Sequence, residues 1–122
     1  MATVGRGILN ETVFQFYDAL RSYDVAKATA ALAEDADWES PWSGGRITGK
    51  PAIEAHLKSW LGDAKARPSL TISDLAGDGA ITRLQVSVSN RFGREPRRVS
   101  MNVLCLTGVI HEVVWKDAVQ GH

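Results

Sequence analysis

Leu9, Val13, Phe16, Tyr17 and Leu20 recur at i, i+4, i+7, i+8 and i+11, the spacing that lines one face of an α-helix. Asn10 stands where an N-cap is needed, and Leu9 and Phe14 have the spacing of a hydrophobic staple. Polar Ser22 to Asp24 interrupts this helix, and Asp24 is placed to cap a second, alanine-rich helix from Val25 to about Ala33. From Asp37 to Trp42 the period changes to two. Trp38, Ser40 and Trp42 fall on one side of a strand, Asp37 and Glu39 on the other. Pro41 assigns the stretch to a sheet edge or a strand end. Ser43-Gly44-Gly45 then turns the chain, and Arg46 to Thr48 can return beside it.

A third helix is predicted from Pro51, suited to a first helical position, to Gly62, suited to follow the last. Its stripe is Ile53, His56, Leu57, Trp60 and Leu61, so a histidine sits among apolar positions. The remainder reads as strands: Ser69 to Leu75, Ala80 to about Phe92, Arg97 to Thr107 and Val109 to Asp117. Turns at Gly77-Asp78-Gly79, around Gly93 and at Thr107-Gly108 separate them, and Val119 to His122 reads as a loose tail. Helices first and consecutive strands afterwards define an α+β class, an antiparallel sheet packed on helices.

Composition narrows the functional classes. The 122 residues make one domain, with its core between about residues 9 and 118, and an apolar content of 44% suffices to bury a core. Net charge is zero and no stretch holds five like charges, so neither nucleic acid nor a membrane surface is an expected partner. The most basic patch, Arg91, Arg94, Arg97 and Arg98, is broken by Gly93, Glu95 and Pro96 and reads as a solvated hairpin end. The single cysteine, Cys105, lies in an apolar run as a small hydrophobe; with no internal disulfide and no secretory h-region, the expected compartment is the cytoplasm. Scattered histidines and the absence of a Cys/His cluster argue against a metal site, and Gly44-Gly45 lacks the continuation of a phosphate loop.

The segments FYDALRSYDVAKATAALAEDADWESP, RITGKPAIEAHLKSW and GVIHEVVWKD, with their order of elements, resemble the nuclear transport factor 2-like superfamily. The nearest branch is that of the SnoaL-like polyketide cyclases and ketosteroid isomerases. The resemblance covers residues 9 to 118. It implies a strongly curved sheet wrapped around three helices as a cone, an apolar pocket inside it, and a homodimer through the outer sheet face. Aligned with the ketosteroid isomerases, the general-base aspartate falls on Ser40. Their oxyanion-hole tyrosine falls on or beside Phe16, with Tyr17 next, and their protonated aspartate falls near Asn102. Serine cannot shuttle a proton at neutral pH as a carboxylate does, so that activity is not expected.

The SnoaL-like cyclases imply a histidine and an aspartate projecting inward from the late strands. By simple alternation His111, Val113, Trp115 and Asp117 share a face of the last strand. His111 and Asp117 are then separated by roughly 20 Å at about 3.3 Å per residue, so neither can partner the other. His56 and Asp117 are the acid/base candidates, and Ser40 and Asn102 the orienting hydrogen bonders. Each has a plainer alternative: His56 as a hydrogen-bonded histidine at the core's edge, Asp117 as a solvated carboxylate. Phe16, Tyr17, Trp38, Trp42, Trp60 and Trp115 offer wide flat apolar surface. They either line a pocket for a flat, mostly apolar ligand or fill the cone. Three functions follow: a cofactor-free isomerase or cyclase acting on a hydrophobic carbonyl compound, a non-catalytic binding module for a small hydrophobic molecule, and a dimeric scaffold.

Overall fold

The computed structural model describes residues 11–62, 68–78, 80–89 and 97–117. The expected cap and staple residues Asn10 and Leu9, the Gly93 turn with Arg91 and Arg94, and the tail lie outside the described residues. Helix α1 (Glu11–Arg21) buries the predicted stripe, Val13, Phe16, Tyr17 and Leu20, and leaves Phe14 exposed. Helix α2 (Val25–Ala30) is capped by Asp24, whose carboxylate accepts the Lys27 N–H at 3.1 Å. It ends three residues before the predicted Ala33, because Leu32 already belongs to strand β1 (Leu32–Ser40). The Ile110 N–H, donating to the Ala31 carbonyl at 2.9 Å, fixes that change of element.

Strand β1 stops before Pro41, which has no N–H to give the ladder. Trp42 therefore lies in the turn beyond the strand rather than on it. Strand β2 (Gly45–Thr48) pairs back antiparallel, and helix α3 (Lys50–Gly62) buries Ile53, Leu57 and Leu61 while His56 and Trp60 stay half-buried. Strands β3 (Ser69–Asp78), β4 (Ile81–Ser89), β5 (Arg97–Leu106) and β6 (Val109–Asp117) complete a sheet of order β2-β1-β6-β5-β4-β3. The β1–β6 pair is parallel and the others antiparallel, so the α+β cone is built on a mixed sheet.

One sheet face meets the helices. It carries Leu84, Val86 and Val88 on β4, Val99, Met101, Val103 and Cys105 on β5, and Val113 and Trp115 on β6, all buried. Helix α1 packs on β3, β5 and β6, and α3 on β1 and β2. The Tyr23 hydroxyl donates to the Pro68 carbonyl at 2.7 Å and the Tyr17 hydroxyl to the Leu70 carbonyl at 3.3 Å, tying the helices to the start of β3. At the β5–β6 turn Thr107 and Gly108 both take positive φ (49° and 79°), the two-residue hairpin geometry whose twist matches the strands and which favours glycine second.

The alternation expected along the last strand fails at one residue. Cys105 pairs with Ile110 but Leu104 pairs with Glu112, so His111 is an extra residue bulged from the ladder. Ile110 and Val113, three residues apart, both reach the core. His111 is thereby uncoupled from the face of Val113 and Trp115. Among the described residues no helix is long and apolar enough to cross a membrane.

Candidate functional site

One part of the core is aromatic. Strand alternation on β1 turns Trp38 inward, where it is 0% exposed. Its ring lies 6.4 Å from Phe16, 5.8 Å from Trp115, 5.6 Å from His56 and 6.3 Å from Trp60, centroid to centroid. Helix spacing of four residues places His56 and Trp60 on one side of α3, and their rings stack at 6.0 Å with planes 12° apart. Trp60 stacks in turn on Trp42 at 5.0 Å, and the Arg97 guanidinium carbon lies 5.6 Å from the Trp42 centroid. The result is a column of four flat groups, guanidinium, indole, indole and imidazole. Trp115 stands edge-on to both indoles at 5.7 and 5.8 Å.

Polar atoms within this cluster fall into two kinds. The Trp38 Nε1–H donates to Ser40 Oγ at 3.2 Å, and that oxygen also accepts the Trp42 N–H at 3.2 Å. Ser40, where a related isomerase would carry its base, fixes two indoles instead. By contrast His56 Nε2 and Trp115 Nε1 are buried without a hydrogen-bond partner, and among the described residues they are the buried side-chain nitrogen and oxygen atoms in that condition. An indole N–H can only donate, whereas neutral imidazole donates or accepts according to tautomer. Burial pushes the His56 pKa below its ordinary 6.5, so the ring is neutral at pH 7.

The two acid/base candidates are not brought together. Both oxygens of Asp117 accept from Arg97, Oδ1 from Nε at 2.7 Å and Oδ2 from Nη2 at 2.9 Å. That hydrogen bonding holds the Asp117 carboxyl below its usual range, and the side chain is 58% exposed. Phe16 joins the indole cluster, while Tyr17 turns its hydroxyl to β3 and is pushed to a higher pKa by burial. The expectation that Asn102 points into the cone is corrected. It lies between inward Met101 and Val103, so its side chain is on the outer face. There its Oδ1 accepts from Arg83 Nε at 3.1 Å. Asn102 instead helps line an outer-face concavity of about 620 Å³ with Arg83, Gln85, Ser100, Val114, Lys116 and Asp117, so Asp117 stands at the border between this face and the indole cluster.

Sequence reasoning missed Arg97, reading it as part of a solvated hairpin end. Its spacing of two from Val99 and Met101 was the available signal, since it puts the guanidinium on the inward side at the start of β5.

An α+β cone with helices on the concave side of a curved sheet is the architecture of cystatin-like folds, and a solved structure of that description from Methylobium petroleophilum superposes with a TM-score of 0.76 at 20% identity. More narrowly, the family model of the SnoaL-like domain matches residues 13–117, and the chain belongs to that family. Among solved structures, a Sinorhizobium meliloti protein described as a polyketide cyclase has a TM-score of 0.78 at 22% identity, with 88% of this chain and 95% of that one covered. A Kribbella flavida protein described as a ketosteroid isomerase has 0.75 at 22%, covering 93% and 81%. A Mycobacterium tuberculosis LEH-like epoxide hydrolase has 0.75 at 22%, covering 89% and 81%. At these identities the likeness is one of fold. None of the curated proteins matches the sequence.

Proposed function

We propose that the indole cluster is a binding site for a flat, mostly apolar molecule bearing a hydrogen-bond acceptor such as a carbonyl oxygen, and that it works by binding rather than by turnover. The observation that carries this reading is the pair of unpartnered atoms, Trp115 Nε1 and His56 Nε2, on the rings flanking Trp38 and Trp60. A buried N–H left unpaired costs about 1–3 kcal/mol. Such a cost is tolerated where a ligand's acceptor completes the bond, and the half-buried, mutually stacked rings of Trp42 and Trp60 offer apolar surface beside it.

Binding is favoured over proton transfer because the groups needed for catalysis are committed elsewhere. Asp117 is held ionised by Arg97, and burial makes His56 a poorer base than free imidazole. Titration of the protein with 2-acetylnaphthalene should quench tryptophan fluorescence saturably. Trp115→Phe, which removes the donor and keeps a ring, should weaken binding about tenfold, the worth of one good hydrogen bond. Linear, non-saturable quenching would refute the reading.

We further propose that a second copy of the chain covers the outer sheet face. Asp37, Glu39 and Glu112 gather around Arg46 at 3.1, 3.4 and 3.3 Å on the β1–β6 side. Arg83 and Lys116 lie at the outer concavity. A twofold axis presents each patch to its opposite, a self-complementary arrangement. Sedimentation should give a dimer at micromolar concentration, with roughly 800 Å² buried per partner, and Arg83→Glu should shift it to monomer. A monomeric wild-type protein would contradict the pairing.

A further inference from the structure

Arg97 has no part in closing the hydrophobic core, yet three features set it apart from an ordinary surface cation. It caps the aromatic column, lying over Trp42. Its planar fork is already engaged two-to-two with a carboxylate, through Nε and Nη2 to the two oxygens of Asp117. And the pair is open to solvent, with side chains 48% and 58% exposed. An exposed ion pair is close to balanced against water. A second carboxylate of the same shape can therefore take Asp117's place at little expense. The guanidinium fork selects for that shape, since it matches a planar two-oxygen anion better than a point charge would.

We infer that Arg97 sets the specificity of the indole site for flat aromatic carboxylic acids, with Asp117 occupying the guanidinium until the ligand's carboxylate exchanges for it. The inference deepens the binding reading above and rests on it. A ring beside the half-buried edge of the indole column and a carboxylate at Arg97 can belong to one molecule, because the guanidinium lies only 5.6 Å from the Trp42 ring at the end of that column. Asp117 then acts as an internal competitor that keeps the guanidinium paired when the site is empty. Its carboxylate swings to solvent on exchange, which its exposure permits.

The test compares two probes of nearly equal shape, 2-naphthoate and 2-naphthamide, by tryptophan fluorescence and calorimetry. The wild-type protein should bind naphthoate only a few-fold more tightly, because the ligand's carboxylate replaces an exposed pair of the same kind. Asp117→Asn, which removes the competitor, should tighten naphthoate severalfold, and Arg97→Gln should bring the naphthoate-to-naphthamide ratio to about one. Arg97→Lys, keeping the charge without the fork, should fall between. If both probes bind equally, or if Asp117→Asn weakens naphthoate, this inference is overturned while the binding site stands. If neither probe binds, the site itself is refuted and the inference falls with it.

Discussion

Trp38→Ala should lower the unfolding free energy by about 3–5 kcal/mol, the range for truncating a fully buried large aromatic side chain. The indole is 0% exposed and bounded by Phe16, His56, Trp60 and Trp115, so no single neighbour can move in to close the void. Loss of its bond to Ser40 adds to the cost, although Ser40 Oγ keeps the Trp42 N–H. With whole domains stable by about 5–15 kcal/mol, the variant should be marginal at room temperature. Urea denaturation followed by far-UV circular dichroism measures the change. A loss under about 1 kcal/mol would mean that the cluster repacks freely around a missing centre, contrary to the rigidity a site requires.

The second large effect has opposite signs in stability and in binding. His56→Leu should stabilise the fold by about 1 kcal/mol, because an apolar side chain of similar size replaces a ring whose Nε2 is buried without a partner. The same change should weaken 2-acetylnaphthalene about tenfold by removing one of the two polar contacts. A histidine kept for the fold would show the reverse, losing stability on replacement. The pH dependence follows from the lowered pKa. Protonation is harder in the folded state than in the unfolded one, so the unfolded chain binds the extra proton first and the fold loses stability as pH drops. His56's contribution is fully present above about pH 6.5 and declines below it toward the lowered folded-state value. The gap between His56→Leu and wild type should therefore widen on acidification from pH 7 to 5, measured by thermal or urea unfolding. A constant gap would place His56 in free contact with water.

Most of the fold was legible because each element carries its own periodicity. The α1 stripe, the Asp24 cap and the inward alternation of Trp38 and Ser40 on β1 are local patterns, and the structure repeats them, though β1 ends before Trp42. Apart from the strand end at Pro41, the departures are non-local. Nothing in the sequence around Ala31 says that Leu32 will pair with Ile110 across the sheet, so the second helix reads three residues too long. A bulge is a mismatch between two strands, and His111 alone cannot announce that Leu104 and Cys105 will face Glu112 and Ile110.

The site was legible in its aromatic part and obscure in its polar part for the same reason. Trp38, Trp60, Trp115 and His56 fall on apolar stripes that any core must collect. The pairing of Arg97 with Asp117 depends on the β5–β6 register, where Val99 stands opposite Asp117 and Arg97 lies one inward position away. Asn102 shows how a resemblance can override the residues themselves. The alternation of Val99, Met101 and Val103 places it outward, whereas its alignment with an isomerase aspartate pointed inward.

The central claim is that Trp115 Nε1–H is an unused donor held for a ligand, and an indole N–H NMR titration tests it most directly. Trp38, already bonded to Ser40, serves as the internal reference. On saturation with 2-acetylnaphthalene the Trp115 indole proton should move downfield and exchange more slowly with solvent, while the Trp38 proton holds its position. An unmoved Trp115 resonance at saturating ligand, or a shift confined to Trp38, would contradict the account.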